Sequence, residues 1–235
     1  MIYITGDTHG DQVRFIENNL GDSSWTENDF LIICGDFGYI FRNSPLENEF
    51  LDYLETKPYT ICFCDGNHEN FPAIFSYPEE IWHSGRIHRI RKNVIHLMRG
   101  QVFEIEGKKI FTMGGAYSLD RGSRIPGCSY WDEELPSDEE FREAAENLKK
   151  HDFNVDCIIT HTAPRKLIKK MGFYPICYET QLTDFHFQDA QLTGFLEWIM
   201  QTANYRHWYF GHFHLDDEID SKHTAVLFKV HRLDG

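Results

Sequence analysis

Phe30-Leu31-Ile32-Ile33-Cys34-Gly35-Asp36 is an unbroken apolar run closed by a glycine and a carboxylate. A run of this length, bounded by Gly and Asp, predicts a strand buried on both faces, as in a parallel sheet. Working outward, the same pattern recurs four times. Ile2–Thr5 runs into Gly6-Asp7-Thr8-His9, and Tyr59–Cys64 into Asp65-Gly66-Asn67-His68-Glu69. Val155–Thr160 runs into His161, and His207–Phe210 into Gly211-His212-Phe213-His214. In open α/β sheets ligands bind outside the carboxyl ends of the strands, so the five ends are expected to converge on one rim. Gly6, Gly35, Gly66 and Gly211 precede the polar residues, where glycine permits positive φ and close backbone approach. Asp7 and His9, like His212 and His214, are two apart, which in extended backbone points both side chains the same way.

Val94–Met98, Gln101–Glu106 and Lys109–Met113 predict three more strands, the last two forming a hairpin around Glu106-Gly107-Lys108. Ala225–Val230 reads as a final strand. Ser137 with Glu140 three residues on is a capping-box signature for a charged helix over 138–151. Leu192, Phe195, Leu196 and Ile199 make an apolar stripe at helical spacing, predicting an amphipathic helix over 189–203. Segments 11–20 and 46–56 are further helix candidates, while 70–100 and 116–136 read as loops rich in Pro, Gly, Trp and charge. Strand–helix alternation in the first third predicts a layered α/β fold, and the hairpin-rich middle a second set of strands.

The chain has 235 residues and reads as a single domain over 1–235. A net charge of −14 argues against a polyanionic partner such as duplex DNA, which needs clustered Lys and Arg. A small phosphorylated substrate remains compatible, because bound cations reverse the field locally. No apolar run approaches 18 residues, so no membrane span is expected, and the start shows no signal peptide. Cys34, Cys62, Cys64 and Cys157 lie in apolar strand-like runs; with Cys128 and Cys177 they are read as reduced thiols of a cytoplasmic protein. Cys62-x-Cys64 lacks the second pair that a zinc site needs. Oligomeric state is not legible.

Two carboxylates (Asp7, Asp36), one amide (Asn67) and five imidazoles (His9, His68, His161, His212, His214) suit borderline divalent metals. The ordered set Gly-Asp-x-His, Gly-Asp, Gly-Asn-His-Glu, His, Gly-His-x-His resembles that of the calcineurin-like metallophosphoesterases, and it covers positions 6–214. The resemblance implies a four-layer αββα sandwich of two mixed β-sheets flanked by helices. It implies two divalent metal ions (Mn favoured among Mn, Fe, Zn, Co and Ni). One would be held by Asp7, His9, Asp36 and His214, the other by Asp36, Asn67, His161 and His212, with Asp36 shared. His68 would stand beside the substrate as a catalyst rather than a ligand. Two divalent ions outweigh the two carboxylates, and such a pair about 3.5–4 Å apart clamps an in-line displacement and acidifies water. The expected reaction is direct attack of a metal-bridging hydroxide on phosphorus, His68 assisting the leaving group. Glu69 and Asp65 are candidates for hydrogen bonds to ligating imidazoles.

Substrate contacts are less defined. Asn67, Arg121 and Arg124 are candidates for phosphate, and Tyr117, with Tyr130 and Trp131, either stacks on a ring or packs the loop. Arg86, His88, Arg89, Arg91, Lys92 and His96 form a local basic cluster, read as an anion-recognition patch or a solvated face. The expected activity is a phosphomonoesterase or small-molecule phosphodiesterase, on a small phosphorylated substrate or a phosphoprotein. The alternatives are a nuclease acting on a nucleic-acid end, or a non-catalytic scaffold on the same fold. Gly-x-Ser-x-Gly does not occur, so a serine nucleophile is unsupported.

Overall fold

The side chains of β2 (Phe30–Ile33) divide between two cores. Leu31 and Ile33 enter one buried cluster, and Phe30 and Ile32 another. This computed structural model describes residues 1–173 and 184–233, and within them β2 is central to a seven-stranded sheet. β1 (Ile2–Thr5), β2, β3 (Thr60–Phe63) and β6 (Val94–Leu97) run parallel. Beyond β6 lie β5 (Gly85–Arg89) and β4 (Glu79–Trp82), both antiparallel to their neighbours; on the other side β13 (His231–Arg232) runs antiparallel to β1. The second sheet has six strands, in the order β11 (Asp217–Asp220), β12 (His223–Ala225), β10 (His207–Phe210), β9 (Cys157–Thr160), β8 (Lys108–Met113) and β7 (Gln101–Ile105). Its parallel centre is β8, β9, β10 and β12. β7 and β11 are its antiparallel edges.

Three apolar cores follow from strand alternation. Ile4, Ile32, Cys62 and Ile95 of the first sheet meet Phe103, Ile110, Cys157 and Ile159 of the second in a core between the sheets. Leu31, Ile33, Ile61 and Phe63 face outward onto Phe50, Leu51 and Leu54 of α1 (Pro45–Glu55) and Ile74 of α2 (Phe71–Phe75). Phe111, Ile158, Trp208 and Phe210 face outward onto Ala144 and Leu148 of α3 (Asp138–Lys150), Leu167 of α4 (Arg165–Lys170), and Leu192, Leu196 and Ile199 of α5 (Asp184–Thr202). The result is helix, sheet, sheet, helix, as expected. Capping boxes start α1 (Ser44 with Glu47) and α3 (Ser137 with Glu140). Each satisfies two otherwise orphaned helix N–H groups. The β7–β8 turn puts Glu106 and Gly107 both at positive φ, the geometry of a two-residue hairpin.

Four expectations fail. Residues 70–100 are not a loop: they hold α2, β4 and β5 besides β6. Segment 11–20 is a single 3₁₀ turn, Gln12–Phe15, after which Glu17 and Asn18 turn left-handed. The strand expected over Ala225–Val230 is β12 instead, which ends at Ala225 rather than beginning there. Beyond it the Asp216 carboxylate accepts the N–H groups of Leu227, Phe228 and Lys229 (2.9–3.0 Å), and the chain crosses to the other sheet at β13. The basic cluster is not a patch: Arg86 pairs with Glu143, Arg89 with Glu80 and Arg91 with Asp52, while His88 and His96 are buried. Cys34, Cys62, Cys64 and Cys157 are buried and free, and Cys177 lies outside the described residues. No described helix is long and apolar enough to cross a membrane.

Candidate metal centre

The parallel strands of both sheets end on one rim, and the five segments leave from those ends. Asp7, His9, Asp36 and Asn67 follow β1, β2 and β3 of the first sheet; His161, His212 and His214 follow β9 and β10 of the second. Asp7, His9, Asp36 and His214 each bring one ligand atom within 4.8 Å of the others. His9 Nε2 lies 3.0 Å from His214 Nε2 and 3.6 Å from Asp36 Oδ2. The same Asp36 oxygen is 3.4 Å from His161 Nε2, which is itself 3.1 Å from Asn67 Oδ1. The His212 ring packs edge-on against His161 at 5.0 Å. One carboxylate oxygen therefore faces two groups of donors.

Three of the donors, His161, Asp36 and Asp7, are aimed by a further bond. His161 Nδ1 is 2.8 Å from the Cys34 carbonyl, so Nδ1–H donates there and Nε2 is the nitrogen turned towards the centre. The His68 N–H donates to Asp36 Oδ1 at 2.8 Å, which leaves Oδ2 facing inward. Both Asp7 oxygens accept from the His212 N–H at 3.0 Å. Asp36 and His161 are almost fully buried.

Electrostatics suit cations. Burial lowers His9 to about 4 and His212 to about 3, His161 adding to the latter, so both imidazoles are neutral and able to ligate near neutral pH. Burial pushes Asp7 up to about 7 against the pull of His161. Burial would raise Asp36 too, but His161, His68 and His9 hold it well below the usual carboxylate range. Burial would lower His161, yet Asp36 and Asp7 raise it to about 10. With no cation present, His161 would serve as the counter-charge to the two aspartates. Carboxylate, amide and imidazole donors on both sides of Asp36 fit a pair of borderline divalent ions.

A family model, calcineurin-like phosphoesterase, matches residues 1–216. The chain belongs to that family. Family membership implies metal-dependent hydrolysis of phosphoesters by this phosphoesterase. No curated protein matches the chain.

The glycines of the phosphoesterase motifs act differently from expectation. Among Gly6, Gly35, Gly66 and Gly211, Gly35 alone has positive φ; the left-handed positions are Asp7, His9, Asp36, His212 and His214 themselves. The two-apart pairs are thus turns, not extended backbone. The glycines allow close approach instead. A Cβ on Gly35 would stand 2.2 Å from His161 Nδ1, and one on Gly66 2.1 Å from Asp36 Oδ1 and 2.4 Å from the Asp36 nitrogen. Gly66→Ala is accordingly expected to cost about 1–3 kcal/mol of stability, the usual scale of overpacking, and to displace Asp36. Thermal melting and Mn²⁺ content after dialysis check this.

Glu69 and Asp65 contact no ligating imidazole. Glu69 is buried with Oε1 accepting from the Phe37 N–H and Oε2 without a hydrogen-bond partner among the described residues; burial, reinforced by Asp36, raises its carboxyl well above the usual range. Asp65 binds His96 and Arg99 instead. Of the loop residues among the substrate candidates, Arg124 comes nearest the chemistry, with Nη2 3.2 Å from His68 Nε2 and Nε 2.7 Å from Asp120. Arg121 turns inward to Glu134 (2.8 Å), between the rings of Tyr117 and Tyr130, and Trp131 packs against Phe41. These aromatic rings pack the loop. Ser118 and Glu134, which sequence reasoning passed over, contact the site: Ser118 Oγ is 3.0 Å from Asn67 Nδ2 and 2.8 Å from Glu134 Oε2.

Proposed function

We propose that this phosphoesterase hydrolyses a small phosphate ester, a monoester or small-molecule diester, using two divalent ions, Mn²⁺ by preference. Asp7, His9, Asp36 and His214 would hold one, and Asp36, Asn67, His161 and His212 the other. The observation that carries this reading is Asp36: Oδ2 faces both donor groups while Oδ1 ties down the backbone of His68. When bound, the ions supply positive charge for phosphate and acidify water towards a pKa of about 7.

The chain's own groups divide the remaining work. His68, fixed to Asp36 through its backbone, stands beside His9 with ring centroids 5.3 Å apart; burial, reinforced by Arg124, lowers its pKa against the pull of Asp36, and when protonated it would donate to the leaving oxygen. Arg124, with Nη2 at His68 Nε2, offers a cationic donor to a phosphoryl oxygen at the same place. A cavity of about 340 Å³ beside His9 and His68, walled by Tyr39, Phe41, Arg42 and Phe50, gives room for a compact leaving group. That size and the net charge of −14 favour a small phosphorylated substrate or a phosphoprotein side chain over a nucleic-acid polymer. Four buried, unpaired cysteines support a reducing compartment, the cytoplasm.

The test compares p-nitrophenyl phosphate with bis-p-nitrophenyl phosphate in Mn²⁺. Hydrolysis of either is expected, and the preference distinguishes monoesterase from diesterase. Inertness towards both, with no metal bound, would instead favour a scaffold. His68→Ala is expected to retain both ions and lose roughly 10²–10⁴-fold in kcat. Unchanged turnover would remove His68 from the chemistry.

A further inference from the structure

The loop between β8 and α3 bonds both residues at the tip of the third motif: Arg124 reaches His68, and Ser118 reaches Asn67. The second contact begins a chain of bonds with a definite direction. Glu134 is fully buried, and its carboxylate is met by three donors. Oε1 accepts from the Ser118 N–H at 2.7 Å and from Arg121 Nε at 2.8 Å, and Oε2 lies 2.8 Å from Ser118 Oγ. Arg121 is clamped between the faces of Tyr117 and Tyr130, with centroids 4.6 and 4.7 Å from its guanidinium carbon, and also reaches Asp132. An ionised carboxylate only accepts, so the single hydroxyl proton of Ser118 goes to Glu134. The Ser118 oxygen is left as an acceptor, and the group 3.0 Å from it on Asn67 must be the NH₂. The Asn67 oxygen is thereby turned the other way, towards His161 Nε2 at 3.1 Å.

We infer that Ser118 and Glu134 are positioning residues that lock the Asn67 amide with its oxygen facing the second cation. The inference rests on the reading that Asn67 ligates that ion. An asparagine has two ends of similar shape and opposite polarity, and its NH₂ end cannot ligate. A buried asparagine with no external director would divide between two orientations, one of them useless. Polarity relayed from Arg121 through Glu134 and Ser118 selects the useful one. The 116–136 segment is then part of the metal site, although it contributes no ligand.

Mn²⁺ binding, measured by calorimetry and by metal content after dialysis, tests this without relying on turnover. Ser118→Ala is expected to weaken one of the two Mn²⁺ sites by roughly 10–100-fold, the scale for removing a group that orients a ligand. The other site should keep its affinity, which also reports that the variant is folded. Ser118→Thr, retaining the hydroxyl, should restore the weakened site. Glu134→Gln is nearly the same shape but can donate to Ser118 Oγ. The Ser118 proton is then free to turn to Asn67 and reverse the amide, so the same site should weaken. Wild-type affinity at both sites in Ser118→Ala and Glu134→Gln, with one site lost in Asn67→Ala, would overturn the inference and leave the ligand reading intact. Two undiminished sites in Asn67→Ala would overturn the ligand reading and the inference with it.

Discussion

Asp36→Asn is expected to abolish turnover and to weaken both cation sites. Its carboxyl is held ionised against burial by His161, His68 and His9, so the substitution removes a full charge. A unit charge about 4 Å from another, at an effective dielectric near 20, interacts by about 4 kcal/mol. That corresponds to roughly 10³-fold in affinity for a shared ligand, before any loss of its direct bond to the ion. An asparagine oxygen can still accept the His68 N–H, so the turn that carries His68 should survive. Metal analysis after dialysis, with turnover at saturating Mn²⁺, checks the prediction. Full activity with two ions retained would show that Asp36 does not bridge.

Asp65→Asn is expected to produce the largest loss of stability. Asp65 and Arg99 are both buried: Oδ2 accepts from Arg99 Nε at 2.8 Å and Nη2 at 2.5 Å, and Oδ1 lies 3.2 Å from His96 Nε2. Removing one partner strands a buried guanidinium, which typically costs about 3–5 kcal/mol. Glu140, 3.5 Å from Nη1, and the Glu133 carbonyl at 2.7 Å soften the loss. The sign with pH follows from the carboxyl. Burial would raise it, but Arg99 and His96 depress it well below its unfolded value of about 3.9. Its contribution is therefore fully present above that value and is lost as pH falls further towards the folded value. Denaturant unfolding should show a large gap between wild type and variant at pH 7 that persists in mild acid and narrows only as the pH falls below about 3.9. A gap independent of pH would place the loss elsewhere than in the ionised pair.

The rim was legible because each strand that feeds it is buried on both faces. Phe30–Ile33 and Cys157–Thr160 carry no polar alternation to obscure the run, and each run stops at a polar residue on the rim. The β4–β5 hairpin was not legible. Glu79-Glu80-Ile81-Trp82 is a half-exposed edge strand whose pairing comes from Gly85–Arg89, and its charges resemble a loop until the partners are in place. The glycine argument was half correct. Asp and His tolerate the left-handed region better than most side chains, so Asp7, His9, Asp36, His212 and His214 take the turns while the glycines yield space. Ser118 and Glu134 carry no local signal, being sixteen residues apart in an irregular segment. Asp65 was misassigned because Arg99 and His96, its partners from beyond β3, lie over thirty residues away.

The two sheets contribute unequally but jointly to the centre. Each proposed ion would take donors from both: His214 joins Asp7, His9 and Asp36 at one, and His161 and His212 join Asp36 and Asn67 at the other. Across the seam between the sheets, the apolar core is non-directional, whereas coordination bonds are specific. Ions that bind only the folded chain stabilise it by about 4 kcal/mol at a thousandfold excess over Kd. The pair would then rivet one sheet to the other at the rim, where the core between them ends, and cation supply would govern how long the molecule stays folded as well as how fast it works.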